Sequence, residues 1–79
     1  MKLQVGDIIN VFGFIMLKGL NDSEKYRVSR VSMYGNNSVY WFTKPRGKKE
    51  LIGHYTNDVD IWIGNNNKNL NRIDIISKC

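Results

Sequence analysis

The side chains best suited to binding chemistry lie between residues 25 and 55. Residues 25–50 carry seven basic side chains against Glu50 alone, a net of +6, while the remainder carries five basic and six acidic residues. Basic groups contact phosphates and aromatic rings stack on unpaired bases, so their combination is typical of nucleic-acid binding. The interleaved aromatic residues are Tyr34, Tyr40, Trp41 and Tyr55. The predicted binding residues are Lys25, Arg27, Arg30, Tyr40, Lys44, Arg46, Lys48, Lys49 and Tyr55.

The residues that could support catalysis are few. His54 is the only histidine and Cys79 is the only thiol, so the sequence offers no evident nucleophile–base pair for catalysis. Asp58 and Asp60 could act as metal ligands or acid–base groups, but carboxylates beside Asn57 are more often turn formers. The chain also has no phosphate-binding glycine loop and no zinc-ligand spacing. We therefore expect a protein that is not an enzyme and that uses no cofactor or metal.

Composition predicts a small β domain. The chain has 79 residues and no alanine, and nine of its residues are aromatic. That length suits one domain, residues 1–79, with a small core, and the composition favours strands over helices. The apolar run at residues 8–20 is interrupted by Asn10 and Lys18 and is shorter than the roughly 20 residues of a membrane span. We expect a cytoplasmic protein that does not contact membranes.

Breaker residues divide the chain into strands. A first strand is expected at residues 8–12, followed by a long loop at 13–24 that folds over the core or offers an apolar patch to a partner. A meander of three strands should follow, with turns at 34–37 and 45–47. The last strand of this meander, the fourth of the chain, should begin at residues 48–52 and end at residues 53–55. The later elements are a helical turn capped by Asn57 or Asp58, a mobile Asn-rich loop at 64–69 and a last strand at 70–76.

Side-chain alternation predicts the core. Val31 is out of phase with Val28, which indicates a bulge or strand end near Arg30. Both faces of the third strand carry aromatics, so either Trp41 or the Tyr40–Phe42 pair must be partly exposed. The predicted core residues are Val5, Ile9, Val11, Tyr26, Val28, Trp41, Leu51 and Ile73. Pairing of the last strand with the first would close a barrel.

The order of these features resembles that of an SH3-like barrel. The match covers most of residues 3–63 and comprises the Val5-Gly6-Asp7 start, the long loop, the meander, the helical turn and a short closing strand. The Asn-rich loop before Leu70 departs from it, because this family has a short connection there. The resemblance implies an all-β fold, a small five-stranded antiparallel barrel with at most one or two short helical turns. The chain also resembles small prophage proteins of low-GC Gram-positive bacteria.

These resemblances imply a second hypothesis for function. SH3-like barrels bind peptides through exposed aromatics, and a phage protein can act by binding or inhibiting a host protein. In that case the aromatics would be the central contacts and Asp58 and Asp60 would face a basic partner. The candidate contacts are Tyr40, Trp41, Tyr55 and Trp62. A third reading is that the basic side chains form only a solvated sheet edge that opposes aggregation.

Overall fold

The computed structural model describes residues 1–13, 17–64 and 71–79, which form a five-stranded antiparallel sheet and one short helix. The sheet order is β4-β3-β2-β1-β5. The elements are β1 (Ile8–Phe12), β2 (Lys25–Tyr34), β3 (Asn37–Thr43), β4 (His54–Tyr55), α1 (Thr56–Asp60) and β5 (Arg72–Ser77). The mostly β architecture, the antiparallel meander and the short helix are as predicted.

The two ends of the chain pair in the sheet, but the sheet stays open. β5 pairs with β1 along its length, with Val11 opposite Ile73, as predicted. β4 and β5 are the outermost strands. Ile63, which follows α1, forms an isolated parallel bridge with Ile73 of β5, but this bridge does not involve β4. Within the described residues, β4 does not pair with β5, and closure into a barrel is not observed.

A bulge in β2 changes which side chains face the core. Val28 lies opposite Phe42 and Arg30 lies opposite Trp41, so Ser29 is one residue in excess. The extra residue reverses the inward and outward alternation of the strand. Val28 and Val31 therefore both face the core, and the predicted bulge near Arg30 is confirmed.

The core is built largely as the alternation predicts. Ile9, Val11, Tyr26, Val28 and Ile73 are all fully buried, and Leu51 is half-buried against them. Two predictions were wrong. Val5 is 53% exposed, and Trp41 is only half-buried, because β3 turns Tyr40 and Phe42 inward.

The segments between strands differ in part from expectation. Leu17 and Leu20 are buried, as expected of a loop folded over the core. Residues 14–16 of that loop, residues 65–69 of the Asn-rich loop and residue 70 of the predicted last strand lie outside the described part. The fourth strand, predicted from residue 48 to residue 55, is shorter than expected: its end is present as β4 at His54–Tyr55, but residues 48–53 do not form a strand. The helical turn is present at Thr56–Asp60, but its cap position is Tyr55 and no side chain caps it.

No helix in the described ranges is long and apolar enough to cross a membrane.

Candidate aromatic and basic site

An aromatic groove lies on the outer face of β2 and β3, beside β4. Its volume is about 370 Å3. Tyr34 on β2 is 71% exposed and Tyr55 on β4 is 42% exposed. Trp41 is half-buried and lies on β3, the strand between them. The full lining is Tyr34, Val39, Trp41, Ile52, Gly53 and Tyr55. Three rings at one surface depression give stacking surfaces for planar groups.

The floor of the groove depends on close packing around Trp41. A Cβ atom at Gly53 would lie 2.7 Å from Val39 Cγ1 and 3.0 Å from Trp41 Cε2, so a larger residue here would force Val39 or Trp41 to move. The indole Nε1 of Trp41 donates a hydrogen bond to Ser32 Oγ at 2.9 Å. Both contacts hold the indole in one orientation, with its remaining surface facing the groove.

Arg30 lies over the Trp41 ring and is paired with Glu50. Its guanidinium carbon is 4.4 Å from the ring centre, and its Nη2 is 3.0 Å from Glu50 Oε1. Glu50 also accepts a hydrogen bond from Ser29 Oγ at 2.9 Å. The Arg30 hydrogen bonds hold the pKa of Glu50 below its usual value, and those with Glu50 raise the pKa of Arg30. Arg30 therefore stands at the groove with its charge already compensated.

Two other predicted phosphate ligands are also engaged within the fold. Arg27 donates from Nη2 to Thr43 Oγ1 at 3.2 Å and to the Gly47 carbonyl at 3.0 Å, so it holds the turn after β3. Lys44 pairs with Glu24 and lies 4.9 Å from the centre of the Tyr26 ring. The Glu24 carboxylate raises the pKa of Lys44.

The remaining predicted cations are exposed and unpaired among the described residues. The 44–47 turn is closed by a hydrogen bond from Gly47 N to the Lys44 carbonyl at 2.9 Å. The chain then runs along β3, where Leu51 N donates to the Phe42 carbonyl at 2.8 Å. The exposed cations are Lys25, Arg46, Lys48 and Lys49. Three of them, at positions 46, 48 and 49, lie on one short segment, residues 46–49, which we call the basic segment. It precedes the groove residues Ile52 and Gly53 by a few positions in the chain.

The structure corrects the prediction for Tyr40. This ring is fully buried and cannot stack on a ligand. Its hydroxyl accepts hydrogen bonds from the backbone N–H groups of Lys2 and Leu3, both at 3.1 Å, and donates to Asp60 Oδ1 at 2.7 Å. Burial, together with the Asp60 carboxylate, raises the pKa of Tyr40 to about 12. Tyr40 is therefore a structural residue that ties the first residues of the chain to α1.

Several groove residues were absent from the predicted set of binding residues. Tyr34 and Trp41 stood among the interleaved aromatics without being chosen, and Ile52 and Gly53 were not considered. The bulge near Arg30 was the available signal, because counting outward positions beyond it leads to Ser32 and Tyr34. Tyr55 was chosen and does line the groove.

His54, on β4, faces away from the groove toward the core. Its ring centre lies 6.4 Å from that of Phe42, and its Nε2 is buried without a hydrogen-bond partner. Burial lowers the pKa of His54 despite a backbone hydrogen bond with Lys18 and the nearby charge of Asp58. Among the described residues, no three His, Cys, Asp or Glu side chains are grouped closely enough to hold a metal ion.

Comparisons of this chain with protein-family models, with curated proteins and with solved structures gave no match.

Proposed function

We propose that this protein is a non-enzymatic module that binds single-stranded nucleic acid at the aromatic groove. The observation that carries the proposal is the placement of Tyr34, Trp41 and Tyr55 at one depression next to the basic segment. Stacking on aromatic side chains requires unpaired bases and tolerates any base, so this arrangement suits single strands better than duplexes.

The charge distribution supports the same proposal. Arg46, Lys48 and Lys49 are exposed, and no carboxylate in the described residues pairs with them. Flexible, unpaired cations can follow a phosphate backbone and release its counterions on binding. A strand whose bases stack in the groove would have its backbone within reach of this segment. Lys25 would contribute at longer range, through the net charge of +5.

The runner-up is a protein-interaction module that binds or inhibits a host protein at the same groove. One observation favours it: Ile52 is 53% exposed in the groove lining, and an aliphatic side chain gives more to a protein contact than to a base. Two of the other candidate contacts do not support it, since Tyr40 is buried and Asp60 accepts a hydrogen bond from the Tyr40 hydroxyl.

Fluorescence anisotropy with labelled single-stranded and duplex oligonucleotides, over a range of salt concentrations, tests the proposal. Arg46→Gln should weaken binding of all single strands alike and reduce the salt slope by about 0.7. The matched control is Arg72→Gln, which removes the same charge from β5 at the opposite edge of the sheet.

The stacking contribution is tested by Tyr34→Ala. This variant should lose about 1 to 3 kcal/mol of single-strand affinity while the salt slope stays the same. Its control is Met33→Ala, since the adjacent side chain is 66% exposed but points to the other face of β2. Absence of binding at low salt, with a stoichiometric host protein recovered on the groove, would replace the proposal with the runner-up.

A further inference from the structure

A second, polar cleft adjoins the aromatic groove and shares Tyr55 with it. Its volume is about 250 Å3. The side chains that matter for its chemistry are Asn36, Asn37, Ser38 and Asn57. Three carboxamides therefore converge next to a ring that also belongs to the stacking surface.

The hairpin between β2 and β3 and the first turn of α1 determine where these amide side chains lie. Gly35 has φ +63° and Asn36 has a negative φ, the pattern of a two-residue type II′ hairpin between Tyr34 and Asn37. Asn57 follows Tyr55 closely, in the first turn of α1, and caps nothing. The hairpin and the helix thus bring residues about 20 positions apart in sequence to one cleft.

The chemistry of the cleft differs from that of the basic segment. None of the three amide side chains forms a hydrogen bond with another described residue, and no Asp, Glu, Lys or Arg side chain lines the cleft. Met1 also lines it, but its terminal ammonium lies 3.9 Å from Asp60 Oδ2, which compensates its charge. A carboxamide both donates and accepts, so it can pair with the donor and acceptor on the edge of a base. A phosphate, by contrast, has only acceptors and prefers cations.

We infer that this cleft reads the edge of a base stacked at Tyr55 and gives the protein a preference for adenine. The inference rests on the proposed function, because it requires a nucleic-acid strand in the groove. Adenine presents an amino donor next to a ring-nitrogen acceptor on two of its edges, whereas cytosine does so on one edge and thymine on none, so adenine offers an asparagine amide the most ways to form this bidentate pair. The groove then supplies affinity for any single strand, and the cleft supplies selectivity among bases.

Anisotropy titrations with oligo-dA, oligo-dT and oligo-dC of about 12 nucleotides test this inference. The unsubstituted protein should bind oligo-dA about five-fold or more tightly than the pyrimidine strands. Asn57→Ala and Asn37→Ala should remove that preference while the affinity for oligo-dT stays within about two-fold. The matched control is Asn21→Ala, an exposed amide outside the cleft, which should retain it.

A conservative variant keeps the test decisive if an alanine variant unfolds. Asn57→Asp preserves size and suits the first turn of a helix, but a carboxylate only accepts hydrogen bonds. It should therefore also lose the adenine preference. Equal binding of the three strands, or a preference that survives in the asparagine variants, overturns the inference and leaves the groove proposal standing. Failure of the unsubstituted protein to bind any strand at low salt overturns both.

Discussion

The guanidinium carbon of Arg30 lies 4.4 Å from the centre of the Trp41 ring. Stacking of a cation on an aromatic face is attractive, and here the salt bridge to Glu50 reinforces the position. The same carboxylate cancels the charge that Arg30 would offer to a phosphate. The salt bridge between Arg30 and Glu50 thus fixes the position of Arg30 at the edge of the groove and weakens the attraction of this edge for anions.

Glu50→Gln should therefore increase affinity for single-stranded oligonucleotides. The substitution removes a negative charge beside the groove and frees Arg30, which could add one phosphate contact and raise the salt slope by about 0.7. Asp74→Asn is the control, because it makes the same charge change on β5, away from the groove. Weaker binding by the Glu50→Gln variant would mean that the orientation of Arg30 matters more than its charge.

Tyr40→Phe should reduce stability without reducing binding. The change removes a buried hydroxyl that serves Lys2, Leu3 and Asp60, at an expected cost of about 1 to 3 kcal/mol. Urea denaturation measures the loss, and titration under conditions where the variant is folded measures binding. Tyr34→Phe is the control for stability, since that ring is 71% exposed. Lost oligonucleotide affinity in a folded Tyr40→Phe variant would contradict the structural role.

The same substitution at Val28 and at Val5 should give different results. Val28→Ala creates a cavity opposite Phe42 in the core and should cost about 1 to 4 kcal/mol of unfolding free energy. Val5→Ala should be nearly neutral because Val5 is 53% exposed. Comparison of the two urea midpoints checks the prediction, which fails if the midpoints shift equally.

Stability should decrease as the pH falls from neutral because of His54. Burial lowers the folded-state pKa below the ordinary 6.5, so between the two values the unfolded chain holds a proton that the folded chain lacks. The contribution of neutral His54 to the free energy of unfolding is complete above the pKa of histidine in the unfolded chain. This contribution is lost as the pH falls toward the lower pKa of His54 in the folded protein. Urea midpoints measured between about pH 7 and 5 should show this slope. His54→Gln should flatten it, and an unchanged slope in that variant would exclude His54 as its source.

The elements whose prediction depended on local patterns agree well with the structure. The turns at Gly35 and Pro45, the bulge near Arg30 and most of the core follow from residue types and the period of two. Trp41 and the Tyr40–Phe42 pair could not be separated, since both faces of β3 carry aromatics and the choice depends on what packs against each.

Local patterns could not predict which basic side chains are paired within the fold and which are free to bind a ligand. Glu24 lies just outside the charge-rich stretch, yet it compensates Lys44, and the hydrogen bonds of Arg27 depend on where the 44–47 turn lies in space. Counting charges along the chain therefore overestimated the number available to a ligand. Of the seven basic residues in the stretch, only Lys25, Arg46, Lys48 and Lys49 have no described partner.

The extra residue at Ser29 divides β2 into two parts that respond differently to a change in chain length. Deleting Ser29 would remove the bulge and keep the present pairing, with Val28 and Val31 inward and Tyr34 outward. Deleting one residue between Val31 and Tyr34 would instead turn Tyr34 to the opposite face of the strand. A codon lost at the bulge would thus preserve the groove, whereas a codon lost three positions later would remove one of its rings in a single evolutionary step.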